Sequence, residues 1–219
     1  MSMKRAATYT CPECGTECSF TMWESLNADL DPEAKETLIA GKLFDQECSN
    51  CHKHTNVIYP ILYHDMEHKI MIQLIGEDDD IAEQVKQFKM AINSLNNQFK
   101  KKQDDNYQYR VVNDHNDLRE KALIFNDGLD DKVIEVLKKA FLLKLKSEKP
   151  DINIKHAYYL PETDGKYGLE FISEEDCLQY VFNENLYNDI HNTMLKENPE
   201  KVLEKTFIVD ETWAAAYIP

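Results

Sequence analysis

Glycine is scarce. Six occur in 219 residues, under half the usual share of about 7%. Phosphate-cradling loops and tight dinucleotide turns consume glycine, so nucleotide enzymes of those kinds are disfavoured. No window approaches ~18 uninterrupted apolar residues, and no membrane span is expected. The first twenty residues carry Lys4 and Arg5 without an apolar segment, so no secretory signal is expected and the chain reads as cytoplasmic. Basic residues are the minority, 25 Lys plus Arg against 40 Asp plus Glu, for a formal charge of −15. Nucleic-acid binding through displaced counterions needs clustered Lys and Arg, so it too is disfavoured. GxSxG, P-loop and HExxH motifs are missing. What is present, 42% hydrophobic and 10% aromatic residues, suits a folded chain rather than an acidic disordered one.

Cysteine carries the clearest signal. Four of the six cysteines form two Cys-x-x-Cys pairs, Cys11-Pro12-Glu13-Cys14 and Cys48-Ser49-Asn50-Cys51. A reducing compartment argues against a disulfide framework. Two thiol pairs on tight turns can instead meet around one Zn²⁺, whose tetrahedral shell accepts four thiolates. Gly15 supplies the positive φ such a turn often needs. Residues 15–47 make a longer spacer than compact four-cysteine sites use. The excess is explained by a helix over 32–40, with Asp31 as cap, Pro32 at its first position and Gly41 as stop.

Other readings use the same residues. Cys48–His52 matches a c-type haem attachment pattern, which needs export. An iron–sulfur cluster could take Cys11, Cys14, Cys18 and a fourth thiol. Cys18 reads as a small packed residue, and Cys177 as a buried apolar filler.

Past the second pair, residues 57–63 and 69–75 read as strands flanking a hairpin loop, His64 to His68. Pro60 argues that the first of these is an edge strand or carries a bulge. Gly76 to Asp80 is a charged break. Ile81, Val85, Phe88, Ile92, Leu95 and Phe99 then form one narrow helical seam, a face for the chain's own core or for a two-helix dimer. Lys100 to Asp105 closes that helix. A strand over 107–113 and a helix over 117–125 precede Gly128. Asp130 or Asp131 caps a helix to about Lys146, apolar nearly all round, with a leftover stripe of Lys138, Lys139, Lys146 and Lys149. Three strands follow, 154–160, 167–172 and 178–182, with turns at Asp164-Gly165 and Glu174 to Asp176. A helix over 184–196 ends before Pro199. The apolar tail, with Phe207, Val209, Trp213 and Tyr217, should dock on a surface of its own chain or of a partner.

The fold class is therefore α+β: an N-terminal zinc-ribbon-like β domain with a short inserted helix, then a mixed α/β region with an antiparallel sheet. The expected divisions are 1–76, 77–150 (mainly helical) and 151–219. Cys11-Pro12-Glu13-Cys14-Gly15, Asn27, Asp31-Pro32-Glu33, Gly41, Cys48–Cys51 and Tyr59-Pro60-Ile61-Leu62-Tyr63-His64-Asp65 resemble the CPXC domain family. So do Leu118 to Lys121 and Phe125 to Glu135. The resemblance covers about residues 9–135, implies zinc as the metal and assigns no reaction. Ser49 departs from it, standing where the motif has proline.

Cys11, Cys14, Cys48 and Cys51 are the expected ligands of a structural Zn²⁺, on which folding of residues 9–75 should depend. His64 and His68, in a hairpin loop, make a weak second metal pair. His64 and Asp65 could brace the hairpin or support the knuckle. The acidic pairs Asp104-Asp105 and Asp130-Asp131, and the run Glu174 to Asp176, fall at turns or helix starts, where carboxylates belong without catalysis. The expected role is a non-catalytic interaction module that binds another protein or self-associates through the 81–99 helix. The alternative is an enzyme or nucleic-acid-processing component with the ribbon as scaffold.

Overall fold

The computed structural model describes residues 1–98, 106–161 and 166–218. Phe99, the run from Lys100 to Asp105 and the Asp164-Gly165 turn lie outside the described residues. The architecture is α+β, in two compact units, Met1–Arg119 and Glu120–Pro219. The boundary falls inside a helix rather than at the charged break near 76 or the linker near 150.

The first unit is built on a five-stranded mixed sheet. Its strands are β1 (Met3–Thr10), β2 (Glu17–Asn27), β5 (Ile61–Asp65), β6 (Ile70–Leu74) and β7 (Gln108–Val112), in that spatial order. β2 runs parallel to β5 and β6 parallel to β7; the other pairings are antiparallel. Because β7 pairs with β6, Gln108–Val112 belongs to this unit rather than to a separate helical region. β5 and β6 alternate strictly, with Ile61, Tyr63, Asp65, Ile70, Ile72 and Leu74 buried. That period-two pattern puts one face of the sheet in the core.

Pro60 does not lie in an edge strand. It is exposed and immediately precedes β5, a central strand, so its missing N–H costs no ladder bond. The turn is shorter than the expected five-residue loop: His64 and Asp65 belong to β5, and residues 66–69 make the reversal. β1 has no counterpart in the sequence reading, since its exposed, polar alternation gives little signal.

Helix α1 (Pro32–Ile39) forms where expected. Asp31 occupies the cap position but its side chain makes no capping bond, so proline does more than aspartate to start the helix. Gly41 ends it at φ +73, with its N–H bonded to Leu38 and that of Lys42 to Thr37, a Schellman closure. Helix α2 (Ile81–Gln98) buries Ile92 and half-buries Ile81, Val85 and Phe88. Phe88 meets Tyr109 of β7 edge to face, ring centres 6.0 Å apart.

α3 (His115–Asn126) spans the boundary, and α4 (Asp131–Glu148) follows it. Asp130 caps α4, accepting from the Lys132 amide. A three-stranded antiparallel sheet has the order β10 (Cys177–Asn183), β9 (Lys166–Ser173), β8 (Ile154–Pro161). Helices α5 (Glu184–Glu197), α6 (Pro199–Leu203) and α7 (Glu211–Ala215) complete the second unit. Pro199 does not merely stop α5: Asn198 caps a new helix in which Pro199 holds an opening position. The apolar tail docks on its own unit, with Val209 and Ala214 buried and α7 packed on α4.

The core of this second unit is charged. Glu120, Asp131 and Glu135 are buried with Lys121, Lys132 and Lys138, so the signs balance. Lys138 contacts both oxygens of Glu120 at 3.1 and 3.0 Å, Glu135 at 2.8 Å and the carbonyl of Ala157 at 3.1 Å. Lys121 bonds Asp131 at 2.9 Å and the Val209 carbonyl at 2.7 Å. Lys132 donates to the carbonyls of Val202 and Glu204, both at 2.6 Å. Lys138, part of the basic stripe read from the sequence, is thus an interior residue.

Candidate metal centre

The two Cys-x-x-Cys segments sit at the tips of two hairpins. Residues 11–16 join β1 to β2, and residues 48–53 join β3 (Asp45–Glu47) to β4 (His54–Asn56). Both tips share one hydrogen-bond scheme. Cys11 N–H bonds Thr16 C=O and Gly15 N–H bonds Cys11 C=O, each at 2.9 Å. In the second tip Cys48 N–H bonds Lys53 C=O at 2.9 Å and His52 N–H bonds Cys48 C=O at 3.0 Å. The scheme needs a left-handed residue after the second cysteine. Gly15 provides it at φ +72, whereas His52 is held there at φ +56.

A side chain in that region costs about 1–2 kcal/mol. Open space surrounds the position where a Cβ would stand on Gly15, so Gly15→Ala isolates backbone strain. It should lower stability by about 1 kcal/mol in chemical denaturation while leaving metal stoichiometry unchanged.

The sulfurs of Cys11, Cys14, Cys48 and Cys51 lie within 4.8 Å of one another. Cys11 and Cys51 are 3.7 Å apart, Cys14 and Cys48 3.6 Å. A tetrahedron with metal–sulfur bonds of ~2.3 Å has edges of about 3.8 Å, so the donor set fits one ion. Cys11 and Cys48 are buried, Cys51 is half-buried and Cys14 exposed. The hydroxyl and amide of Thr16 and the side chain of Asn50 hydrogen-bond the Cys14 sulfur and pull its thiol down to about 6. At Cys51 the Lys53 amide pulls downward, but burial and the Cys14, Cys48 and Cys11 thiols push it up to about 12. Such crowding favours exchanging protons for a cation.

Cys18 is packed, as expected, but against sulfur. Its thiol donates to Cys48 Sγ at 3.6 Å, and it lies across the strands from Tyr9, which borders the same cluster. The signal for it was there in Cys-Gly-Thr-Glu-Cys, one side chain pointing the same way as the tip. Cys177 is not buried: it is exposed on β10 and bonds Glu170 at 3.1 Å. His52 and His54 pair with Glu47 and Asp45 at the surface.

Among the described residues the four cysteines are the group of three or more side chains suited to a metal, and neither His64 nor His68 belongs to it. Strand alternation sends His64 and Asp65 to opposite faces. His64 meets the Tyr107 hydroxyl, and burial pushes its imidazole pKa down. Asp65 braces the hairpin by accepting the His68 amide at 2.9 Å, and it also binds Lys35 of α1 at 2.9 Å and the Tyr63 hydroxyl at 3.2 Å. Burial alone would raise its carboxyl; the His68 amide and Lys35 outweigh that and hold it at about 2.

A depressed carboxyl stabilises above its ordinary pKa near 4, and the contribution disappears as pH falls toward 2. Asp65→Asn should therefore cost about 2 kcal/mol at pH 7, allowing for solvent screening, with the difference closing between pH 4 and 2. Urea titrations of both proteins across that range would check it. Of the acidic groups, Asp130 caps, Asp131 is consumed by Lys121, and Glu174 to Asp176 lie on the turn anchored by Ser173.

Two matched cysteine tips thus bring four sulfurs into one set that could hold a metal ion. A family model described as CpXC protein matches residues 9–138, and the chain belongs to that family. No curated protein and no solved structure matches the chain. Among the described residues no helix is long and apolar enough to cross a membrane.

Proposed function

We propose that this is a zinc-binding cytoplasmic protein in which Cys11, Cys14, Cys48 and Cys51 hold a structural Zn²⁺, and that it acts as a non-catalytic module binding another protein. The observation that carries the reading is the closed sulfur set. Four thiolates saturate a tetrahedral ion, leaving no position for water or substrate. Asp65, the buried carboxylate nearest to a catalytic arrangement, is committed to Lys35, Tyr63 and His68.

A recognition surface is available on the first unit. Trp23, Leu30, Pro32 and Leu43 line an open depression of about 640 Å³, edged by Lys4, Lys42, Asp31 and Glu33. Leu30 is 61% exposed there. Charges of both signs beside an exposed leucine suit a peptide segment better than a polyanion. With a formal charge of −15, nucleic acid is a poor partner. Self-association through α2 is the homotypic form of the same role, and solution mass by light scattering separates it from binding to a different chain.

Elemental analysis should find one zinc per chain; iron in its place would replace the reading with a redox cluster. Affinity capture from cells should lose the same partner with Cys48→Ser, which removes the centre, and with Leu30→Asp, which leaves it intact. Substrate turnover with no partner would overturn the proposal.

A further inference from the structure

Four sulfurs stand at the hairpin tips and a fifth on β2 beside them, and a tetrahedral ion takes four. The fifth, Cys18, is 4% exposed. Its Sγ lies 3.6 Å from Cys48 Sγ, the separation that also links Cys14 to Cys48. Cys48 is thus the common vertex of two sulfur pairs, each close to one edge of a metal–thiolate tetrahedron. Tyr9 packs against the cluster that holds Cys18, and two polar groups are close as well. Ser49 Oγ lies at 3.6 Å and the Thr16 carbonyl at 3.8 Å. A residue selected only to fill apolar space would not need such neighbours.

The four sulfurs of the donor set differ in their shielding. Cys14 is exposed, while Cys11 and Cys48 are buried and Cys51 half-buried. Cys14 is therefore the ligand most open to electrophiles and oxidants. The reserve sulfur lies on the protected side, in contact with the same partner. We infer that Cys18 is a reserve metal ligand that takes the fourth coordination position when Cys14 is lost, so that the ion is retained through Cys11, Cys18, Cys48 and Cys51. The inference rests on the reading of the cysteine tips as a metal site.

Cobalt(II) binding to the full chain under reducing conditions tests both readings separately, because the near-ultraviolet charge-transfer intensity grows with the number of coordinated thiolates. All proteins would carry Cys177→Ser to remove the remaining thiol. The otherwise unaltered protein should show a four-thiolate tetrahedral spectrum; without it, the metal-site reading itself fails and the inference falls with it. Cys14→Ala should keep the full charge-transfer intensity. Cys14→Ala/Cys18→Ala should lose about one quarter of it, with a fourth ligand from water. Cys18→Ala alone should keep it all. A Cys14→Ala protein that already shows three thiolates, or binds no cobalt, overturns the reserve role. So does a loss of intensity in Cys18→Ala, which would make Cys18 a resident ligand.

Discussion

Cys48→Ser should leave the protein without its metal and with both cysteine tips unfolded. Cys48 is fully buried and touches two other sulfurs, so serine removes a ligand at the point where the tips meet. Structural zinc sites contribute ~10–16 kcal/mol of binding free energy at neutral pH, as much as a typical domain's whole stability of ~5–15 kcal/mol. Strands β3 and β4 have three residues each, and a two-stranded ribbon of that size does not persist in water unaided. Hydrogen exchange is the measurement of choice. Amides of residues 9–19 and 45–57 should lose protection in Cys48→Ser and in chelated wild type alike. The centre of the sheet should hold, because Leu26, Ile61, Ile72 and Leu74 form an apolar core of their own. Metal dependence is thereby narrower than the whole 9–75 segment that the sequence suggested. Unchanged protection after verified metal removal would contradict this account.

The second large effect lies in the charged core. Glu120→Ala should destabilise the second unit by about 3–5 kcal/mol, the cost of leaving a buried charge short of its partner. Glu120 holds Lys138 with both oxygens and also accepts the Tyr159 amide. Burial pulls the Lys138 ammonium toward neutrality, but Glu120 and Glu135 more than offset it and raise its pKa. A raised lysine contributes fully below its ordinary pKa near 10.4 and loses that contribution only as pH climbs through the raised value. The penalty should therefore stay constant from pH 6 to 9. Glu120→Gln, which keeps an acceptor for the amide, should cost less than Glu120→Ala. Denaturant midpoints of the two variants decide the order, and equal midpoints would mean that the Tyr159 amide bond contributes nothing.

The clustering of the four cysteines was legible because its information is local: Cys-x-x-Cys spacing encodes a tip, and Gly15 marks the left-handed residue. Helices α1 and α4 were legible for the same reason, through Pro32 and Gly41 or through Asp130 and an unbroken apolar period. The failures share a cause. Pro60 suggests an edge strand or a bulge; strand order is set by partners distant in sequence, and nothing in residues 57–63 reveals that β2 pairs with β5. Cys18 and Cys177 look alike in one dimension, yet one contacts sulfur and the other faces outward. Lys138 reads only as part of a basic stripe because its buried counter-charges come from Glu120 on another helix and Glu135 on its own. Two aligned tips would have shown His52 opposite Gly15, a comparison available from the letters alone.

The ammonium groups of Lys121 and Lys132 have a practical consequence for dissecting the molecule. Both belong to the family-matched stretch, and both clasp main-chain oxygens near residues 202–209. Trimming the gene at position 138 would cut α4 in mid-course and remove the main-chain acceptors of both ammonium groups. Anyone seeking a minimal fragment should keep the last third attached, or replace those lysines first.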